Sequence, residues 1–416
     1  MNPGTALARL GATLLLTPAL ALSTNFPPLP QTHGGAQVSV LAAGLHDPRG
    51  MTIGPDGRLY VAEAGTTEGR FVPPPPPPPT EPPTVTRCEV YWPVGPATPG
   101  FSGRISRIDL RSGRRQTVAD GLPSMGANTL IGGDRQGAGA VAFLGGRLYA
   151  TLAGSGCSHG HPSDPNAVLR VAGDGTTVAI ADLSNYLRTV PDSKLPTDGD
   201  YEPDGVWFNL VRAFGALYAV EPNRGVFLRI GRNGAITPVA DMIASVAAID
   251  PNGDGDQTFS ALTKHRGAFY MGTLGRIDSG FAGAVYRVSA DGRRVREVAS
   301  GVRGVLGVAF DRSDRMYVLE TTAEGVDPPL SDPTAGRLVR VERDGSLTPI
   351  LTGIAFPTSL IAGPDGAFYV TQCGYHCDDR SRFPSALPSL RAGQVLRVRL
   401  PGAAAYCDDE DMEDAR

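Results

Sequence analysis

Three glutamates, Glu63, Glu221 and Glu320, each stand three residues past a tyrosine that closes a repeated hairpin. Three such carboxylates ringing a channel would suit acid–base work. In each of these blades the next strand also offers an arginine, Arg107, Arg229 or Arg340. A repeated ion pair inside the blade therefore accounts for the same residues. Two further groups carry chemistry. Cys88, Cys157, Cys373 and Cys377 fall among long insertions with His46, His159, His161 and His376, a composition that would admit a metal. DPNGDGD (250–256) sets Asp250, Asn252, Asp254 and Asp256 at alternate positions, as a calcium loop begins, but the twelfth position is Ala261 and a solvated turn suffices. No cofactor is expected; calcium is the one ion the motif would admit.

The elements that must position these residues form a repeat. An aromatic pair follows a tight turn six times, ending at Tyr60, Tyr149, Tyr218, Tyr270, Tyr317 and Tyr369. A second run carries Arg107, Arg170, Arg229, Arg287, Arg340 and Arg397, and a third reads as RQTVADGL or ITPVADMI. The third run occurs five times after the second. Its sixth copy, QVSVLAAGL (37–45), lies at the N-terminus. With a weak strand before each turn, the repeat predicts an all-β, six-bladed β-propeller of four-stranded blades A to D. The N-terminal strand completes the last blade and closes the ring. No helical period is evident after the leader.

The expected organisation is a signal peptide at 1–23, a linker at 24–36, the propeller at 37–400 and an acidic disordered tail at 401–416. The apolar run near Leu10–Leu22 is short and broken by Pro18, which fits a cleaved leader and no membrane span. A secreted or periplasmic location follows, and there cysteines pair. Cys88 with Cys157 and Cys373 with Cys377 are the disulfide candidates, leaving Cys407 single. A net charge of −4 offers no field for nucleic acid.

The A–B and C–D turns are short, while the B–C and D–A connections hold the long segments, including a proline-rich insertion at 64–102 with VPPPPPPPTEPP. One face is thus loop-rich. It is the expected surface for a small-molecule or protein partner. His46 and Arg49, Asp204 of EPDG and Asn223 of EPNRG are the candidate ligand-binding residues. No catalytic residue is assigned.

The pieces GLHDPRGMTIGPDGRLYVAEAG, GRISRIDL, VADGLPS and FPTSLIAGPDGAFYVTQCG resemble the ScyD/ScyE family, and EPDGVWFNLVRAFGALYAVEPNRGVFLRI resembles that family's central blade. The likeness runs over about 36–400 and implies export and a six-bladed NHL- or gluconolactonase-like propeller. It implies no catalytic residues. The departures are the polyproline stretch, GAGAV (137–141) and TLGRIDSG (273–280). Two enzymatic alternatives share the scaffold. A metal-dependent lactone hydrolase of the gluconolactonase type holds a divalent ion with a Glu, an Asn and an Asp, the last two just before a strand-A Gly; the positions here are Arg49, Ala138, Asp204, Phe259, Leu306 and Thr358, where Asp204 is the one acid. A quinone-dependent sugar dehydrogenase would need a catalytic histidine, for which His46 beside Arg49 is the available pair.

Overall fold

A computed structural model describes residues 27–73, 95–129, 134–190, 202–250, 257–275, 280, 282–323, 332–375, 377 and 392–402. The segment read as a signal peptide, residues 74–94 with most of the polyproline stretch and Cys88, and Cys407, His376, Asn252, Asp254, Asp256 and residues 403–416 lie outside them.

Six small antiparallel sheets form the blades of a propeller. The inner strands are Pro48–Ile53, Ala138–Leu144, Val211–Ala213, Phe259–His265, Val305–Phe310 and Leu360–Ala362. The closure expected from the repeat is present. Gln37–Leu45 pairs with Gly393–Arg399, Gln37 opposite Arg399 and Leu45 opposite Gly393. Within the stretch read as a linker, Gln31–Thr32 adds an edge strand to blade 5, opposite Thr352 and Leu351. His33 extends that contact, its amide donating to the Ile350 carbonyl at 2.9 Å. The N-terminus therefore engages two consecutive blades.

The alternating strands bury one face against the preceding blade and the other against the next. Six apolar clusters fill these gaps between consecutive blades. Between blades 2 and 3, for example, Tyr149, Val168, Trp207, Leu217 and Leu228 meet.

The repeated tyrosine and arginine have one explanation. In each blade they stand directly opposite across strands B and C, as Tyr60 does with Arg107 and Tyr369 with Arg397. Where the turn supplies an aspartate, the tyrosine hydroxyl donates to it at 3.1 Å: Tyr60 to Asp56, Tyr317 to Asp311, Tyr369 to Asp365.

Two short helices, Leu183–Thr189 and Met242–Ala247, occupy D–A connections, where the sequence showed no helical period. Six or seven residues are too few for a period to register. Each is capped by an aspartate instead: Asp182 accepts from the Asn185 amide at 2.8 Å and Asp241 from the Ala244 amide at 3.0 Å.

Candidate functional site

The glutamates past the blade tyrosines are buried ion-pair members, but not with the arginines expected. Because the strands are antiparallel, a residue three past the tyrosine faces a residue three before the arginine. Glu63 therefore faces Arg104, whose Nε and Nη2 donate to it at 3.1 and 2.5 Å, and the His46 amide adds a bond at 2.6 Å. Glu320 faces Arg337, which donates at 2.6 and 3.1 Å, and the Arg303 amide donates at 2.6 Å. Arg107 turns instead to Gln116 and Arg340 to Glu342. The pair locks strand B to strand C, and the amide bond ties in the start of the same blade's inner strand.

Blade 3 breaks this rule. Val226 stands where the other two blades carry arginine, since Val220 pairs with Phe227. Glu221 is completely buried and accepts from the Val206 and Arg224 amides at 2.9 and 2.5 Å. Burial, outweighing those bonds and the Arg224 charge, pushes its carboxyl up to about 7. The folded state holds this proton above the ordinary glutamate range, so stability should fall as pH rises from about 4.5 through about 7. Unfolding in urea at pH 5 and pH 8, for the parent and for Glu221→Gln, checks this. The variant should gain on the parent by up to about 3 kcal/mol at the higher pH. An unchanged difference between the two would refute the assignment.

Around Glu221 lies a buried polar cluster between blades 2 and 3. His159 has both ring nitrogens against acceptors, the Ser155 carbonyl at 2.6 Å and Glu202 at 2.7 Å. Burial alone would lower its pKa, but Glu202, the Ser155 carbonyl and Asp204 together raise it. The geometry is that of an imidazolium donating twice. Asp204, fully buried, accepts from the Ser158 amide at 2.7 Å and the Ser158 hydroxyl at 2.6 Å, and pairs with Arg188. Its carboxylate packs against Gly156, whose φ of 95° favours glycine and where a Cβ would fall 2.3 Å from the carboxyl carbon.

The four candidate binding residues have different settings. Arg49 sits at the loop end of the central channel, 8% exposed, bonded to Asp134 at 3.1 Å and to the Arg135 carbonyl at 2.5 Å. Its guanidinium lies 5.3 Å from the Phe208 ring centroid. His46, on the same connection, has its pKa lowered by burial and by Arg104. Asp204 is held within the blade 2–3 cluster. Asn223 is half-buried on the B–C connection of blade 3. His161 faces the Ser124 carbonyl at 2.9 Å. Among the described residues no group of three or more His, Cys, Asp or Glu is placed to hold a metal.

Cys373 and Cys377 form the expected disulfide, with Cα atoms 5.2 Å apart. Cys157 is also disulfide-bonded, and its partner lies outside the described residues.

Open space lies in the channel itself. A cavity of about 980 Å³ runs along the inner strands of all six blades, from the level of Gly50, Phe208 and Thr358 to the A–B turns at Pro55, Gly145, Gly215 and Pro364. It is thus associated with the plain face, opposite the loop-rich one. Its wall is polar and apolar in about equal parts, the apolar side chains including Phe143, Leu262, Leu306, Phe310 and Ile361. Its charged lining residues are Arg212, Arg232, Lys264 and His265. Loop length alone points to the other face. The usable signal was the end of strand A, where VRAFG and TKHRG carry cations and the other blades do not.

No family model and no curated protein matches the chain. Solved structures do. A luciferin-regenerating enzyme superposes with a TM-score of 0.51 at 12% identity, over 90% of this chain and 98% of that one. An auxiliary nutrient binding protein from Bacteroides thetaiotaomicron gives 0.48 at 10% identity, over 89% and 77%. A protein described as a putative gluconolactonase gives 0.46 at 10%, over 91% and 97%. At these identities the likeness is one of fold. Among the described residues no helix is long and apolar enough to cross a membrane.

Proposed function

We propose that the chain is a non-catalytic binding module of the ScyD/ScyE type that works outside the cytoplasm and holds a small ligand in its central channel. The observation that carries this reading is the cavity of about 980 Å³, walled by all six inner strands, with Phe208 in its lining. Such a volume suits a small-molecule ligand, and the apolar side chains supply contact area. The acids that would serve catalysis are engaged elsewhere. Glu63 and Glu320 are locked to arginines, and both carboxylate oxygens of Asp204 are in use. That occupancy weighs against Asp204 as a metal ligand in a lactone hydrolase. His46 stands beside Arg104 and Glu63, away from the cavity lining, which weighs against it as the catalytic histidine of a sugar dehydrogenase.

The test is a thermal-shift screen of the mature chain against a small-molecule library, repeated on Thr263→Trp. Thr263 is a half-buried lining residue, and the indole would fill the channel. Stabilising hits should disappear in the variant and be recovered chemically unchanged. Hits indifferent to the substitution, or converted to product, would contradict the proposal.

A further inference from the structure

We infer that the plain-face rim of blade 4, on the side turned toward blade 5, holds the chain's own acidic C-terminal segment, residues 403–416, through Arg287, Arg294 and Arg296.

The seams between blades share a closure that this one does not show. Each D strand carries a bulge against strand C. At four seams the glycine of the next blade's C–D turn packs on the carbonyl of the bulged residue. Gly113 lies so near the Leu41 carbonyl that a Cβ would strike it, and Gly175, Gly234 and Gly292 repeat the contact. Between blades 5 and 6 the Ile350 carbonyl accepts from the His33 amide instead. Between blades 4 and 5 the turn glycine is Gly345. It is exposed, and no described atom lies within 4 Å of its Cβ position. The physical reason stands on blade 4. There Arg287 of strand C, Ala282–Ser289, is directly opposite Arg296 of strand D, Val295–Arg303. The other blades place Ser39, Gln116, Val178, Thr237 or Thr348 at the position of Arg296. Like charges opposed across a ladder are destabilising. Both side chains stay exposed, and two hydrated guanidinium groups hold the next turn off this corner.

Val285, two residues before Arg287, belongs to the cluster between blades 4 and 5, so Arg287 and Arg296 share the face toward blade 5. Arg294, two before Arg296, continues it. All three are exposed, and none is ion-paired among the described residues. In other blades a turn aspartate four before the tyrosine supplies the counter-charge, Asp365 to Arg397 and Asp56 to Arg107. Blade 4 has Arg266 at that position. The acids nearby are engaged. Asp291 accepts from Ser289 at 2.5 Å, Glu342 from Arg340 and Thr348 at 2.7 and 2.6 Å, and Asp344 from Ser346 at 2.7 Å. Glu297 stands opposite Tyr286, which packs toward blade 3. The matching charge is in the chain's last residues, where DDEDMED (408–414) carries six acids and Arg416 is the one cation after Gly402. Acidic runs of this kind serve as interaction tails. The described chain ends at Gly402, in the turn after Gly393–Arg399, on the same plain face as the arginines. Blade 5 alone separates that turn from the patch, and residues 403–416 can reach up to about 46 Å at roughly 3.3 Å each. Three arginines in a chain of net charge −4 are too narrow a field for nucleic acid or a membrane surface.

The probe is a fluorescein-labelled peptide of residues 403–416 carrying Cys407→Ser, titrated at low salt into the mature chain shortened to end at Gly402. Anisotropy should show binding below millimolar concentration, and affinity should fall at least about tenfold in Arg287→Gln/Arg294→Gln/Arg296→Gln. Arg296→Thr, which installs the residue of blades 3 and 5, should alone cost about threefold. Arg170→Gln, which removes the exposed arginine at the same register of blade 2, should change affinity by less than about twofold. Raising the salt to about 0.5 M should abolish binding. The full mature chain, its rim already occupied, should bind the peptide at least about fivefold more weakly than the shortened one. Melting curves establish that each variant is folded. No binding at millimolar concentration, binding indifferent to the triple substitution, or equal binding by the full and shortened chains overturns the inference. A dimer in sedimentation that disappears on shortening would place the segment on a second copy and overturn its assignment to the same molecule.

Discussion

A chain lacking residues 24–45 should fail to unfold as a cooperative unit, whereas one lacking only 24–36 should lose about 1 kcal/mol from one short edge pairing. The longer deletion removes the whole D strand of blade 6. That strand pairs with Gly393–Arg399 along its length and places Ala42 and Leu45 in the cluster between blades 6 and 1. Val395 and Leu396, both fully buried, would meet water or an unpaired edge. Net stabilities of single domains are about 5–15 kcal/mol, so losing one of twenty-four blade strands and the ring closure consumes most or all of it. The shorter deletion removes Gln31–Thr32 and the His33 contacts on blade 5 and leaves closure intact. Circular dichroism and urea unfolding of the two truncations separate the outcomes. Equal, cooperative transitions for both would show that the ring does not depend on its N-terminal strand.

Asp204→Ala should cost about 3 kcal/mol, the largest expected loss from a single side chain on the loop-rich side. The substitution leaves the Ser158 amide and hydroxyl without their acceptor in a fully buried place, and it removes the partner of Arg188. Arg188 has a third of its side chain exposed and can turn to water, which keeps the loss below that of a wholly buried pair. Asp204→Asn, which retains an acceptor for Ser158, should cost about 1 kcal/mol. Chemical denaturation of the two variants measures both. A cost for alanine no larger than for asparagine would mean that the Ser158 contacts contribute little.

Much of the fold was legible because a propeller repeats its signals. Six tyrosines, six arginines and a displaced D strand determine blade number and closure before any coordinate is seen. The short spacing of Cys373 and Cys377 likewise specified their bond. The Glu–Arg pairing was legible in kind but not in partner, since antiparallel register sets the three-residue offset from Arg107 to Arg104 and from Arg340 to Arg337. The blade 2–3 cluster was less legible. His159, Glu202, Asp204 and Glu221 come from two connections and a strand end, and nothing local in the chain says they meet. Arg49 was singled out from its position before strand A. Its contacts with Asp134 and Phe208 come from the end of blade 1 and from blade 3, which no repeat pattern records. The cations of the channel were visible in VRAFG and TKHRG. Loop length, the stronger signal of function in most scaffolds, points to the opposite face.

The central claim is that the channel is the binding site, and a crystal structure of the mature chain with the tightest hit of the thermal-shift screen tests it most directly. The account predicts intact ligand within the inner strands, between Phe208 and the A–B turns, with Arg49 still bonded to Asp134. Ligand seated on the loop-rich face with the channel unchanged, or a chemically altered product, would contradict it.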